Sequence, residues 1–596
     1  MILIQKPWIK VVLLVLIIVG SITMTRRDFT PQVLASPNCT IAAGVIASNT
    51  TWSPGACSTY DVTGNISVLN GVTLTIEPGT TIQFANNTSL TVQGVLLAMG
   101  TANNPITFTS SNGSPLPGDW LGILFVDEAP DAIVNLSYNY ISGSIIQHSI
   151  IEYAQDGINL RNSIPYIDSN MIRNNFQGID ASSSYSSNPT PLVIRNSTIS
   201  FNGDDTVSFG YSGGGISVSG GLTYIAFNTI SHNYSSPTGI TSNGGGISAG
   251  FGDCIITENV IAYNQAGNFN YGYSRGGGIY SACDLTLTNN IISHNVVNNY
   301  QGHGGALFVN AGTIQSMQGN LIMENEADYG GAISFTDYNF EGEITNNTVI
   351  NNVAQSGGGG IIINRNSDTN VVTFRHNNLY GNTANGQPND FTNADPSYQP
   401  PNIDLTYNWW GTTDSATIES HVYHYIDDVN LGLLLYTPFL MEAGASQGSI
   451  DTGGGTFTSS DGLIELVFPP NAVNESVTVY YSHQFTPTTT LPNNAQFVLG
   501  FNLRAIKADG TAVTQFTQPL TLTINYPSDA ELSTWGIDET TLTLSYWDGA
   551  QWQSAYPCAG CSVNTNLNQI AVQLDHFTEF ALVAESSQIF LPAIIR

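Results

Sequence analysis

Asp204 and Asp205 stand side by side in NGDDTVSFG, Asn202–Gly210, a run that opens like a turn. Adjacent carboxylates in such a turn cap backbone amides, face solvent, or join loop carbonyls around a calcium ion, which needs several oxygens at about 2.4 Å. Calcium is therefore the one cofactor candidate. Cys558-x-x-Cys561 admits three chemistries: a redox pair, half of a zinc site, or a disulfide. Neither a βαβ pattern nor a second cysteine pair lies near it, so a disulfide is expected. His576 beside Phe577 offers an imidazole, but its place at a strand end reads as packing or polar trim rather than a base.

The elements that must position these groups are set by a repeat. Asn175, Asn202, Asn233, Asn264, Asn295, Asn325, Asn352 and Asn382 recur at intervals of 27, 31, 31, 31, 30, 27 and 30 residues. A second column, five residues earlier, runs Asn170, Ser197, Asn228, Asn259, Asn290, Asn320, Asn347, Asn377 and Asn408. Between them lies an apolar slot holding Ile172, Ile199, Ile230, Ile261, Ile292, Ile322, Val349, Leu379 and Trp410. Units this short bury no core alone, so neighbours must stack and share one.

Each unit is too broken by glycine and asparagine for a helix and holds two or three short strands, which fits one coil of a parallel β-helix. Coils stacked about 4.8 Å apart bring like residues into register. An asparagine amide carries donor and acceptor, so stacked copies can bond to one another, and asparagine tolerates the left-handed backbone of a sharp corner. Gly213–Gly215, Gly244–Gly246, Gly276–Gly278, Gly304–Gly305, Gly330–Gly331 and Gly357–Gly360 mark a second recurrent corner needing positive φ. Cys254 and Cys283 lie about one coil apart, within disulfide reach, and Cys39 and Cys57 flank the first segment; with the CxxC they make three bridges.

The stretch Ile66–Ser111, with GDWLGILF at Gly118–Phe125 and HSIIEYA at His148–Ala154, resembles the opening coils of secreted bacterial right-handed β-helix proteins of the pectin-lyase-like superfamily. NWWGT, Asn408–Thr412, resembles a motif at the end of such solenoids. The resemblance implies the handedness, in keeping with the preference of parallel crossovers. It also raises polysaccharide cleavage. QGID, Gln177–Asp180, and NGDDTVSFG resemble the first two motifs of polygalacturonases, which makes Asp180, Asp204 and Asp205 the catalytic candidates for acid–base hydrolysis. GHG at Gly302–Gly304 resembles the third, but His303 lies 98 residues beyond Asp205, about three coils away, and no Arg-x-Lys pair is present to hold a uronate. Pectate lyases use an arginine base; Arg161, Arg173 and Arg195, near Asp168 and Asp180, recur at intervals that suggest a shared face.

The 596 residues carry a formal charge of −31 with only 10% charged residues, a surface that repels nucleic acid and anionic lipid. Lys6 and Lys10 precede an apolar run, Val11–Val19, and Val33-Leu34-Ala35 reads as a cleavage site, so export is expected, with an uncleaved anchor as the other outcome. Six cysteines fit an oxidising compartment. After Phe439 the period stops. Alternating strands from Gly462 to Tyr481 across a PPNAV turn, then FVLGFNLRAI, PLTLTINY, TLTLSYW and IAVQLDHFTEFALV, indicate an antiparallel β-sandwich. The PPNAV turn and LDHFTEFAL resemble the small sandwich module of zonula occludens proteins, netrin receptors and ankyrins, which implies docking rather than catalysis.

The expected organisation is all-β: signal peptide 1–36, N-terminal cap 37–65, right-handed parallel β-helix 66–440, linker 441–455, β-sandwich 456–585 and an apolar tail 586–596. The leading functional expectation is a secreted or cell-surface, non-catalytic rod for adhesion, structure or glycan binding. GGAI corners and paired asparagines also resemble the repeats of polymorphic outer membrane adhesins. Its partners would be extracellular polysaccharide or a cell-surface protein, with membrane contact only through an uncleaved anchor or tail attachment. The rival is a glycoside hydrolase or polysaccharide lyase.

Overall fold

A computed structural model describes residues 36–585 except 184–189, 204–212, 236–240, 268–272, 299–300, 311, 337–338, 365–372, 395–401, 441–444, 460–461, 485–489, 492–494, 529–531, 533–536 and 559–560. Most of the export segment and the C-terminal tail lie outside these residues.

Three long parallel sheets of 13, 14 and 12 strands wind together as a right-handed parallel β-helix. A representative coil begins at Thr229–Ser231 in the sheet between the asparagine columns, here called the ladder sheet. It turns at Asn233, adds the short strand Tyr234–Ser235 to a smaller sheet, and passes Gly244–Gly246 into Ile247–Ala249 of the glycine sheet. Asp253–Thr257 of the third sheet then leads to Asn259 and the next ladder-sheet strand, Val260–Ala262. The sheets open at Asn38–Ile41, Gly44–Ile46 and Thr50–Trp52, each paired in parallel with the strand one coil on. The segment expected as a cap thus supplies strands to all three sheets.

Both asparagine columns are continuous hydrogen-bonded ladders. Asn264 is fully buried; its Oδ1 accepts from the backbone N and the Nδ2 of Asn233 at 3.0 Å each. Its own N and Nδ2 donate to Asn295 Oδ1 at 3.0 Å, and Nδ2 also donates to Ile230 O at 2.8 Å in the preceding coil. One amide therefore ties three coils. The column from Asn175 ends where Asn382 donates to Asp390 Oδ1 at 2.8 Å, while Asp390 Oδ2 meets His421 Nδ1 at 3.0 Å. That contact lifts His421 above the ordinary histidine range. The second column runs from Asn170 through Ser197 to Asn408. The slot residues between the ladders are buried throughout, each fully buried aliphatic side chain contributing about 2 kcal/mol of transfer free energy.

One expectation is corrected. The left-handed residue is not the ladder asparagine but the residue immediately before it: His232, Tyr263 and His294 in one column, Phe227, Glu258 and Asn289 in the other, all at φ of 55° to 58°. The ladder asparagine is past the corner, where its amide points along the stack. The first glycine of each triplet does take positive φ, as at Gly244 (+63°). The third lies against the ladder: a Cβ at Gly246 would sit 3.0 Å from Asn264 Nδ2. Ala306 and Ala332 occupy that third place in two coils, so the contact yields there.

The C-terminal unit is an antiparallel sandwich of six-stranded and five-stranded sheets with its own core, including Leu466, Val479, Phe501, Leu522 and Phe580. Ala445–Ile450, in the stretch expected as a linker, pairs with Val477–Ser482 as an edge strand. The sandwich docks sideways on the rod. Ile506 packs against Val260, Ala262 and Ile291 of the ladder sheet, with Tyr480, Ala512 and Leu321 beside them. Arg504 pairs with Glu258. The sequence cause lies on the outward positions flanking the slot, which are Thr198 and Ser200 or Thr229 and Ser231 in earlier coils but Val260, Ala262, Ile291, Leu321 and Met323 here.

Replacing Asn264 by leucine removes the acceptor of Asn233 N and Nδ2 and the side-chain donor to Ile230 O and to Asn295 Oδ1. It should cost about 3 kcal/mol or more in urea unfolding, whereas Thr198→Ala, on the outward face, should stay within about 0.5 kcal/mol. Ile506→Asp should release the sandwich with both cores intact, read as a larger radius of gyration in solution scattering at unchanged far-UV circular dichroism.

Candidate functional site

The outer face of the glycine sheet collects the groups with reactive potential. Asp180, in the strand Gln177–Ser183, pairs in register with Asn159 of Ala154–Arg161 on one side and Ser217 on the other. Asn159 Nδ2 donates to Asp156 Oδ2 at 2.8 Å and reaches Asp180 Oδ2 at 3.4 Å, so one amide joins two carboxylates. Asp180 Oδ1 accepts from Ser182 N at 3.0 Å and Ser182 Oγ at 2.6 Å. Asp156 is 8% exposed, and its Oδ1 is buried without a hydrogen-bond partner. Burial pushes the Asp156 carboxyl up to about 6; the Asn159 bond opposes this, Asp180 adds to it and Arg161 opposes it. Gly122 pairs with Asp156 immediately before a register shift, and a Cβ on Gly122 would lie 1.7 Å from Asp156 O.

Two carboxyl groups whose environments differ can divide proton donation and acceptance near neutral pH. Sequence reasoning found Asp180 but missed Asp156, which stands opposite Gln177 at the glycine corner, where later coils carry a glycine. Asp204 and Asp205, the calcium candidates and the other two catalytic candidates, lie outside the described residues. Among the described residues no cluster of three or more His, Cys, Asp or Glu is arranged to hold a metal.

His303 flanks the glycine-sheet strand Leu307–Asn310, four strands along from that of Asp180. At about 4.8 Å per strand that is roughly 19 Å, so the two do not share one reacting centre. His303 stacks on Tyr329 at 5.1 Å, and its Nδ1 lies 3.2 Å from Ser334 Oγ. Burial and then Arg275 lower its pKa to about 4, with Asp328 opposing, so it is a neutral imidazole at physiological pH. Arg275 also lies over the Phe308 ring at 5.0 Å.

The arginine expectation is overturned. Arg161, Arg173 and Arg195 sit on the glycine, ladder and third sheets respectively, so they present no common face. Arg173 pairs with Glu152 at 3.0 Å, and Arg195 donates to Asn139 Oδ1 at 3.1 Å. Asp168 is on the third sheet, bonded by Gln147 and Asn196. The cysteines pair as Cys39–Cys57, Cys254–Cys283 and Cys558–Cys561, with Cα separations of 5.6, 6.1 and 5.3 Å. The second bridge clamps adjacent coils and the third closes the CxxC loop. His576 pairs with Asp575 at 2.7 Å and meets Tyr546 edge-on at 4.9 Å.

Residues 44–142 match the pectate-lyase-like β-helix domain family. A stretch of 115 residues, 18% of this chain, is 35% identical to Protein bark beetle of Drosophila melanogaster, and it covers 4% of that much longer protein. Among solved structures, a tailspike protein mutant of E. coli bacteriophage HK620 aligns with 92% of this chain and 87% of its own at 11% identity, with a TM-score of 0.20.

The Asp156 shift fixes a pH signature. The folded pKa lies above the ordinary carboxylate value, so the native state holds the proton more tightly than the unfolded chain. Stability from this group is full below about 4, falls as pH rises through about 6, and is level above it. Asp156→Asn should therefore lie close to the parent at pH 4 and exceed it by about 3 kcal/mol at pH 8, measured by urea unfolding at both values.

Proposed function

We propose that this chain works outside the cell as a stiff, non-catalytic rod that offers a lateral surface to glycan or to a cell-surface protein. The observation that carries this reading is the pair of hydrogen-bonded ladders, almost all asparagine amides, which spend the recurrent polar side chains of the coils on holding the column rigid. Rigid elements present binding groups at low ordering cost. Three disulfides and an acidic, lysine-poor composition support an extracellular setting and disfavour nucleic acid as a partner. The resemblance of the C-terminal sandwich to a docking module is in keeping with a role in presentation.

One observation favours the rival reading of a polysaccharide-degrading enzyme: Asp156, raised to about 6, shares an amide with Asp180. A carboxyl whose pKa is raised toward neutrality beside a second carboxyl is the pairing that glycoside hydrolysis uses.

Incubating the purified chain with mixed plant and microbial polysaccharides, while following reducing ends and unsaturated products, separates the two. The rod reading expects no product above the blank, together with retention on at least one insoluble polysaccharide or cell-surface preparation. Product that falls by about two orders of magnitude or more in Asp156→Asn, Asp180→Asn, Asp204→Asn or Asp205→Asn, each still folded, would replace it with the enzyme reading.

A further inference from the structure

A cleft of about 400 Å³ opens where the sandwich meets the rod, on the edge of the docking contact and on a different sheet from the carboxylate pair. Its rod wall carries Phe227 and Glu258; its sandwich wall carries Arg504, Tyr546, Trp547 and Asp548. The volume lies in the range of small-ligand sites, about 300–1,000 Å³, and boundaries between domains are favoured places for them.

Phe227 is the informative residue. It occupies the left-handed corner at φ 58°, in a column where Ser169, Asn196, Glu258, Asn289 and Asn346 stand in other coils and His148, His376 and Tyr407 stand nearer the two ends. A large side chain at that φ carries a cost of order 1 kcal/mol that asparagine largely avoids. The ring is not repaid by burial, since it stays 40% exposed with Arg195 5.9 Å from its centroid. Opposite it, the hairpin turn after Trp547 carries Gly549, where a Cβ would come within 4.0 Å of the Phe227 ring. Trp547 and Tyr546 are half-buried, leaving part of each ring open.

The polar lining narrows the ligand class. Arg504 is paired with Glu258, which also accepts from Asn289 Nδ2 at 3.0 Å. Asp548 is held ionised by Gln553 Nε2 and by the backbone amides of its own turn. In the lining Glu258 and Asp548 stand against one guanidinium, Arg504, which is engaged; His576 there is taken up by Asp575, and Arg195 meets Phe227 from outside the lining, so a polyanion is disfavoured. Aromatic faces joined with carboxylate and hydroxyl acceptors suit a ring that has C–H faces and a hydroxyl rim.

We infer that this junction cleft binds a neutral sugar ring, with Phe227 and Trp547 as the stacking surfaces and Asp548 and Glu258 as hydroxyl acceptors. The site joins the two domains around one ligand and performs no chemistry. Its occupancy is independent of any product formed at the glycine sheet and of whether the rod surface binds other partners.

Isothermal titration of the folded chain with neutral hexaoses of cellulose, laminarin, mannan, xylan and chitin, with trigalacturonate as the charged control, tests this. At least one neutral saccharide should bind with Kd of about 1 mM or tighter and trigalacturonate should not. Phe227→Asn, which suits the corner better and should melt no lower than the parent, should weaken that binding by about tenfold or more. Trp547→Ala provides a second reading from the opposite wall. Absence of binding by every neutral saccharide, equal binding of trigalacturonate, or unchanged affinity in both variants would overturn the inference.

Discussion

At each asparagine corner of this column the backbone N–H of the ladder residue is buried and is met by a side-chain oxygen of the next coil rather than by a carbonyl. The asparagine amide does this by accepting from the coil before and donating to the coil after and to a carbonyl behind it. Its reach matches the spacing of stacked strands, so the solution works only if every coil places its asparagine at the same angle. The left-handed residue ahead of each asparagine, the glycine opposite and the buried isoleucine between the ladders follow from that demand. The first column ends on Asp390, whose Oδ1 accepts from Asn382 while its Oδ2 meets His421 Nδ1.

The ladders were legible in the sequence because register turns a spatial column into a numerical period. Asn175 to Asn382 and the isoleucine slot could be read without coordinates, as could the cysteines one coil apart. The left-handed corner was displaced by one residue, since composition cannot tell an asparagine that turns the chain from one that follows the turn; the variety of Phe227, His232, Glu258 and Tyr263 hid a shared backbone. The docking patch left a trace that was passed over: outward positions change from Thr198 and Ser200 to Val260, Ala262, Ile291 and Leu321, a loss of alternation confined to the coils that receive the sandwich. Asp156 was hidden because its coil carries Asp156-Gly157 where later coils carry the glycine run, so the shared corner is not visible as a motif.

Rigidity and display are physically linked here. Side chains tied into the ladders are unavailable to partners, so contact chemistry is left to the outward faces and to places where the period is broken. The departures gather in two regions. On the glycine sheet, Ser217 and Ser248 give way to Tyr280 and Phe308 beside Arg275 and His303. On the ladder sheet, the sandwich interrupts the rod and leaves a cleft at its edge.

The central claim is that the amide ladders, rather than the sandwich or the disulfides, hold the column. Native-state hydrogen exchange of the backbone amides of Asn233, Asn264, Asn295 and Asn325 tests it most directly. They should exchange as the slowest class, only through global unfolding, and remain so after the disulfides are reduced. Exchange of these amides as fast as that of the sandwich edge strands, or release of their protection on reduction, would contradict the account.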